Sequence, residues 1–196
     1  LSRLIDILQA TRDDLIDGYP AKIALRAISG DGAPADKCVT LNELLVKHDM
    51  HVVIKPTDHD SFFAEHGIIG AEIDASGHIS IDLAEHFFSS CKTPLKQALR
   101  FQSIVAHELI HRDQMKASSD PMGMMQSAGQ LDDIAYINDP FEIEAMSAEI
   151  VHDLAAKSLL ACDGLIEGST RLNFIMHHAG HMSPVAIDQF QAEMAE

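Results

Sequence analysis

The sequence predicts a single α+β domain in which helices precede and follow a small sheet. Three observations predict it. Apolar residues recur at helical spacing towards both ends of the chain, the period shifts to strand-like runs between Met50 and Leu83, and Pro and Gly punctuate the boundaries. The length of 196 residues fits one domain spanning 1–196.

Leu1, Leu4, Ile5, Leu8 and Leu15 carry a helical period that breaks at Asp17-Gly18-Tyr19-Pro20. Pro20 opens a second short helix ending at Gly30. Thr40 and Glu43 form a T-x-x-E capping box, which predicts that another short helix begins there, ahead of Leu44 to Lys47. Met50 to Lys55 is rich in β-branched residues and predicts a strand. Gly67 to Asp74 and His78 to Leu83 predict two more, joined by Ala75, Ser76 and Gly77. In the last of these Ile79, Ile81 and Leu83 alternate with Ser80 and Asp82, the pattern of a half-buried strand.

Thr93-Pro94 is a cap followed by Pro at the first helical position, and helix formers run from there to about Lys116. Ser118 to Asn138 holds Pro121, Gly123, Gly129 and three Met, and predicts a long irregular connection. Asp139-Pro140 repeats the cap-then-Pro signal and opens a helix to about Cys162. Gly164 and Gly168 end it, and further helices follow, the last opened by Ser183-Pro184. Residues 1–117 thus supply helices, sheet and a long helix, 118–139 a loop, and 140–196 a helical half.

Lys and Arg total 14 against 30 Asp and Glu, a net charge of −16, which argues against nucleic acid and anionic membrane surfaces as partners. No apolar run approaches the ~18 residues of a membrane span. Leu1 to Asp14 carries Arg3, Asp6, Arg12 and Asp13, unlike a secretory signal. Cys38, Cys91 and Cys162 are odd in number and lack C-x-x-C spacing, which predicts reduced thiols and a cytoplasmic setting rather than a disulfide framework. Histidine is over-represented at 12 residues, which turns attention to metal or acid–base chemistry.

The run His107-Glu108-Leu109-Ile110-His111 is an HExxH motif inside the helix opened by Pro94. Residues four apart lie one turn apart on one helix face, so both imidazoles reach one ion. Zinc accepts imidazole nitrogens at about 2.0–2.1 Å and keeps a position open for water in catalytic sites. Glu108, next to the first histidine, is placed to take a proton from that water as it attacks a carbonyl. This composition would give about 0.04 such motifs per chain by chance, and the apolar flanks Ile104, Val105, Ala106, Leu109 and Ile110 do not suit a solvated helix face.

Two histidines need a third protein ligand, and the helix after Asp139-Pro140 offers Glu142 and Glu144. These are about 200° apart around a helix, so only one faces the ion, and the other is a first-turn charge favoured by the helix dipole. Glu149, seven residues beyond Glu142 on the same face, is a candidate to orient a ligating imidazole.

HExxH with a downstream Glu-bearing helix resembles the zincin metallopeptidases, in the gluzincin-like branch whose third ligand is Glu. The run from His107 to Gln114, followed by Asn138-Asp139-Pro140-Phe141-Glu142-Ile143-Glu144-Ala145, is most similar to small HExxH peptidases encoded by phages and prophages. The resemblance spans Phe101 to Ile150. It implies a minimal zincin-like fold with a small mixed or antiparallel sheet, one Zn2+ per chain, and a peptide or protein substrate in the host cytoplasm or at the virion. It implies Glu142 as third ligand, whereas a thermolysin-like E-A-x-S alignment selects Glu144. It also implies that His78 to Leu83 is the edge strand along which an extended peptide pairs. The chain departs from the pattern at Arg112 and Asp113, and at Met146 (or Ala148), where a ligand-orienting Asp or Asn is usual.

Further candidates surround this motif. Tyr136, just before the Glu helix, is a candidate donor to a developing oxyanion. His177, His178 and His181 have i,i+3 and i,i+4 spacings suited to a second ion or to polarising a carbonyl, and suit a solvated helix end equally well. The Met residues between Pro121 and Met125 suit an apolar pocket or gap-filling core. Three functions follow for comparison: a zinc peptidase with Glu108 as base, a zincin-fold structural or binding protein of the virion-associated kind, and a di-iron carboxylate bundle suggested by the paired E-x-x-H runs at Glu108 and Glu149.

Overall fold

Helical and strand-forming runs separate cleanly along the chain in a computed structural model, which describes residues 19–56, 67–88, 94–121, 123, 131–162 and 170–195. Helices α1 (Tyr19–Ile28) and α2 (Pro34–Leu45) lead into strands β1 (Met50–Lys55), β2 (Ile68–Ile73) and β3 (Ile79–Ala84). The long helix α3 (Pro94–Ala117) follows, then the short α4 (Asp133–Tyr136), α5 (Pro140–Cys162), α6 (Thr170–His178) and α7 (Pro184–Glu193). The architecture is α+β, with a small mixed sheet and a helical C-terminal half. The helical period of Leu1 to Leu15, the Met residues at 122, 124 and 125, and the Gly164–Gly168 break lie outside the described residues.

Two expectations need correction. Helix α2 starts at Pro34, not at the Thr40 box. Pro34 fixes the first helical φ, and the Asp36 carboxylate accepts from Ala33 N at 3.1 Å, so the cap is Ala33, three residues before Asp36. Thr40 is already mid-helix, its hydroxyl donating back to Asp36 O at 3.1 Å. The second correction concerns the sheet, whose order is β1-β3-β2. β3 pairs in parallel with β1 and antiparallel with β2, so it is the central strand and offers no free edge. Its inward residues Ile79, Ile81 and Leu83 are completely buried.

The β2–β3 turn is built by Asp74, whose Oδ1 accepts from Ser76 N at 2.8 Å and His78 N at 3.0 Å, with Gly77 at φ +83° completing it. Gly67, at φ +76°, opens β2, and a Cβ there would lie 2.9 Å from Phe87 Cα, so a side chain is excluded on both counts. Cys38 is free and half-buried, and burial pushes its thiol pKa up.

Two apolar clusters result. The first joins α1, α2, the inner sheet face and one side of α3, through residues such as Leu41, Met50, Ile81, Phe101 and Val105. The second joins α5, α6 and α7 through Ile143, Met146, Ile150, Phe174 and Ala186. Helix α3 packs on α1 on one side and on α5 on the other, so the HExxH segment lies between the clusters. Among the described residues no helix is long and apolar enough to cross a membrane.

Candidate metal centre

The HExxH motif lies in the second half of α3, and its four-residue spacing brings His107 Nε2 and His111 Nε2 to 3.1 Å of each other. Helix α5 supplies the third group. Asp139 caps it, accepting from Phe141 N at 2.9 Å and Glu142 N at 3.3 Å, so Glu142 enters in the first turn. Glu142 Oε2 lies 3.5 Å from His107 Nε2 and 3.4 Å from His111 Nε2.

These separations are those a tetrahedral ion would impose. Ligand bonds of about 2.0–2.1 Å at tetrahedral angles give edges of about 3.3 Å. Glu142 Oε2 is buried and has no hydrogen-bond partner, a costly state for a carboxylate oxygen that a cation would relieve. Charge points the same way. Counted as ionised, the carboxylates of Glu108, Glu142, Glu149 and Asp153 outnumber the guanidiniums of Arg100 and Arg171 by two, an excess that protons on His107 and His111 offset in the metal-free protein and that one divalent cation would offset in their place. Residues and geometry therefore fit a zinc-type ion. Glu144 is not part of the triad; it turns to Gln114, whose Nε2 donates to Glu144 Oε2 at 2.7 Å.

Behind His107 lies a buried ionic cluster. Its Nδ1 faces Glu149 Oε2 at 3.2 Å, and that oxygen also accepts from Arg171 Nε at 2.6 Å. Arg100 Nη1 lies 2.9 Å from Glu149 Oε1 and 3.2 Å from both Asp153 oxygens. Glu149 is completely enclosed. Met146, one turn after Glu142, is buried among apolar residues, and it is Glu149, two turns along, that faces His107.

His111 has different neighbours. Gln114 Oε1 lies 2.8 Å from its Nδ1, and the side chain is 12% exposed against 5% for His107, so His111 forms the rim. The unusual Arg112 turns away, donating to His48 O at 3.4 Å, and Asp113 pairs with Lys116 at the surface.

The electrostatics follow from this packing. Burial opposes charge on His107, but the carboxylates of Glu142 and Glu149 outweigh it and raise its pKa to about 9. His111 is raised too, burial again being outweighed by Glu142. Burial resists ionisation of Glu142 and Glu149, yet the imidazoles hold the first, and Arg171 and Arg100 the second, far below the usual carboxylate range. Burial raises Glu108, with the two imidazoles pulling against it. Tyr136 Oη lies 3.5 Å from His107 Nε2, and burial pushes its pKa well up, so the phenol keeps its proton. Arg171 stacks over the Tyr136 ring at 5.6 Å.

None of the candidates His177, His178 and His181 belongs to the triad. His178 packs its ring on Phe174 and stands 3.9 Å from Asp133, while His177 and His181 are exposed. Among the described residues, His107, His111 and Glu142 form the one group of three suited to an ion. Sequence reasoning missed Gln114, Arg100, Arg171 and Asp153. Gln114 is three residues after His111, Asp153 four after Glu149 and Arg100 seven before His107, spacings that share a helix face; Arg171 comes from a separate helix and has no such signal. No protein-family model matches the chain, and neither the curated proteins nor the solved structures yielded a match.

Proposed function

We propose that the chain is a zinc-dependent peptidase in which His107, His111 and Glu142 hold one zinc ion and Glu108 is the general base. The observation that carries this reading is a triad of donor atoms, 3.1–3.5 Å apart, beside a buried carboxylate, Glu108, that is not one of the three. A purely structural zinc site has no use for that fourth group.

When bound, zinc supplies a Lewis acid that makes water nucleophilic near neutral pH. Glu108 receives the proton that water loses and passes it to the leaving amine; burial raises its proton affinity, which suits both transfers. Glu149, pinned by Arg100 and Arg171, holds the ring of His107 with Nε2 towards the triad. Tyr136 keeps its proton and donates to the developing oxyanion. The substrate is a peptide or protein whose backbone pairs with an outer strand, β1 or β2, since β3 is central.

The test begins with metal content by plasma mass spectrometry, on the wild type beside His107→Ala. The expected result is about one zinc per chain, lost in the variant; no metal, or equal metal in both, overturns the reading. Glu108→Gln is expected to keep the zinc and to lose about 10²–10⁴-fold in peptide hydrolysis. Undiminished hydrolysis removes Glu108 as base. A full zinc complement without cleavage of any unfolded protein tested favours the structural or binding alternative.

A further inference from the structure

We infer that Gln114 is a positioning residue of this centre, fixing the ring of His111 and tying the Glu142 helix to the HExxH helix; the inference rests on the zinc reading above. One side chain makes both connections. Its Oε1 lies 2.8 Å from His111 Nδ1, and its Nε2 donates to Glu144 Oε2 at 2.7 Å and to Phe141 O at 3.0 Å.

The chemistry of the amide fixes its orientation. An amide has one accepting and one donating end. Glu144 Oε2 and Phe141 O only accept, so Nε2 must face them and Oε1 must face His111. His111 Nδ1 is therefore the donor, which sets the tautomer and leaves the Nε2 lone pair directed at Glu142 and His107. The opposite amide orientation would set its oxygen against a carboxylate and a carbonyl.

The same contacts hold the first turn of α5. Phe141 precedes Glu142 directly, so a bond to its carbonyl restrains the backbone from which the third ligand projects. Glu144 thereby has a role without being a ligand: it presents the acceptor that forces the amide to point its oxygen at His111. The arrangement is specific to Gln. Q114E keeps an acceptor for His111 but sets a second carboxylate against Glu144 and an oxygen against Phe141 O. Adding E144Q restores a donor opposite the new carboxylate. Glu and Gln have nearly equal helix propensity, so helix stability alone does not generate that pattern.

The experiment titrates zinc into metal-free wild type, Q114A, Q114E and Q114E/E144Q against a chromophoric chelator. It also records the visible spectrum of each cobalt(II)-loaded form and the melting of each metal-free form. Q114A and Q114E are expected to bind zinc about 10–100-fold more weakly, with altered cobalt bands and metal-free melting close to wild type. Q114E/E144Q is expected to recover most of the affinity and the wild-type bands. Single variants that bind like wild type, a double variant that recovers nothing, or affinity losses that merely track lost melting stability each overturn the positioning role while leaving the zinc reading intact. A wild type that binds no zinc overturns that reading itself, and this inference with it.

Discussion

The two imidazoles of the centre are braced in opposite ways. His107 lies at the deep end, against Glu149 and a pair of buried guanidiniums, whereas His111 lies at the rim, against the neutral amide of Gln114. Burial explains the difference. A carboxylate completely enclosed in protein needs compensating cations, and Arg100 and Arg171 supply them. At the rim, solvent lies close and a neutral hydrogen bond suffices. The deep end is therefore coupled to folding, and the rim to the alignment of the ligands.

The sharpest way to break this contrast is Glu149→Ala. It removes the carboxylate between two buried guanidiniums, leaving Asp153 as the carboxylate beside Arg100, and is expected to cost the metal-free protein about 3–5 kcal/mol in chemical denaturation. Gln114→Ala leaves its three hydrogen-bond partners at a rim that water reaches, and is expected to cost about 1 kcal/mol or less in total. Equal losses in the two variants would erase the distinction between the ends.

A second effect is set by pH. In the metal-free protein His107 has its pKa raised to about 9, above the ordinary 6.5 of an unfolded chain. A group with its folded pKa raised stabilises the fold fully below pH 6.5, and the contribution is lost as pH rises through about 9. Zinc competes with that proton, so its apparent affinity is expected to climb from pH 6.5 to 9, while metal-free stability falls over the same window. Chelator competition and urea melts at three pH values check both trends. A flat affinity profile would mean that the carboxylates do not hold a proton on His107.

Local signals made most of the frame legible. Pro94, Pro140 and Pro184 mark the observed helix starts, and the run Met50–Lys55 coincides with β1. The HExxH spacing puts His107 beside His111, and the two-turn spacing from Glu142 points to Glu149, which faces His107. Failures came where distance along the chain matters. The alternation of β3 is legible, but its pairing with β1 on one side and β2 on the other is long-range, and the edge position that the zincin resemblance implies for it does not hold. Arg100 and Arg171 meet at Glu149 from helices α3 and α6, and no spacing announces that. Thr40 and Glu43 had the chemistry of a cap, yet Pro34 and Asp36 had already begun the helix.

The smallest effect expected lies beside the deep end, in the four-residue helix α4 that carries Tyr136. Asp132 caps it, accepting from Ala135 N at 2.8 Å. Asp132→Ala removes that cap at an exposed site, at a cost of about 1 kcal/mol. None of the triad lies on α4, so zinc affinity is expected to stay at the wild-type level. Tyr136 loses its restraint, however, and with it the alignment of the phenol 3.5 Å from His107 Nε2, so kcat is expected to fall while zinc binding holds. Measuring both on one preparation separates the roles. A loss of zinc affinity as large as that of Gln114→Ala would show that α4 braces the ligands themselves, and the division between a deep end held by charge and a rim held by an amide would have to be redrawn around Tyr136.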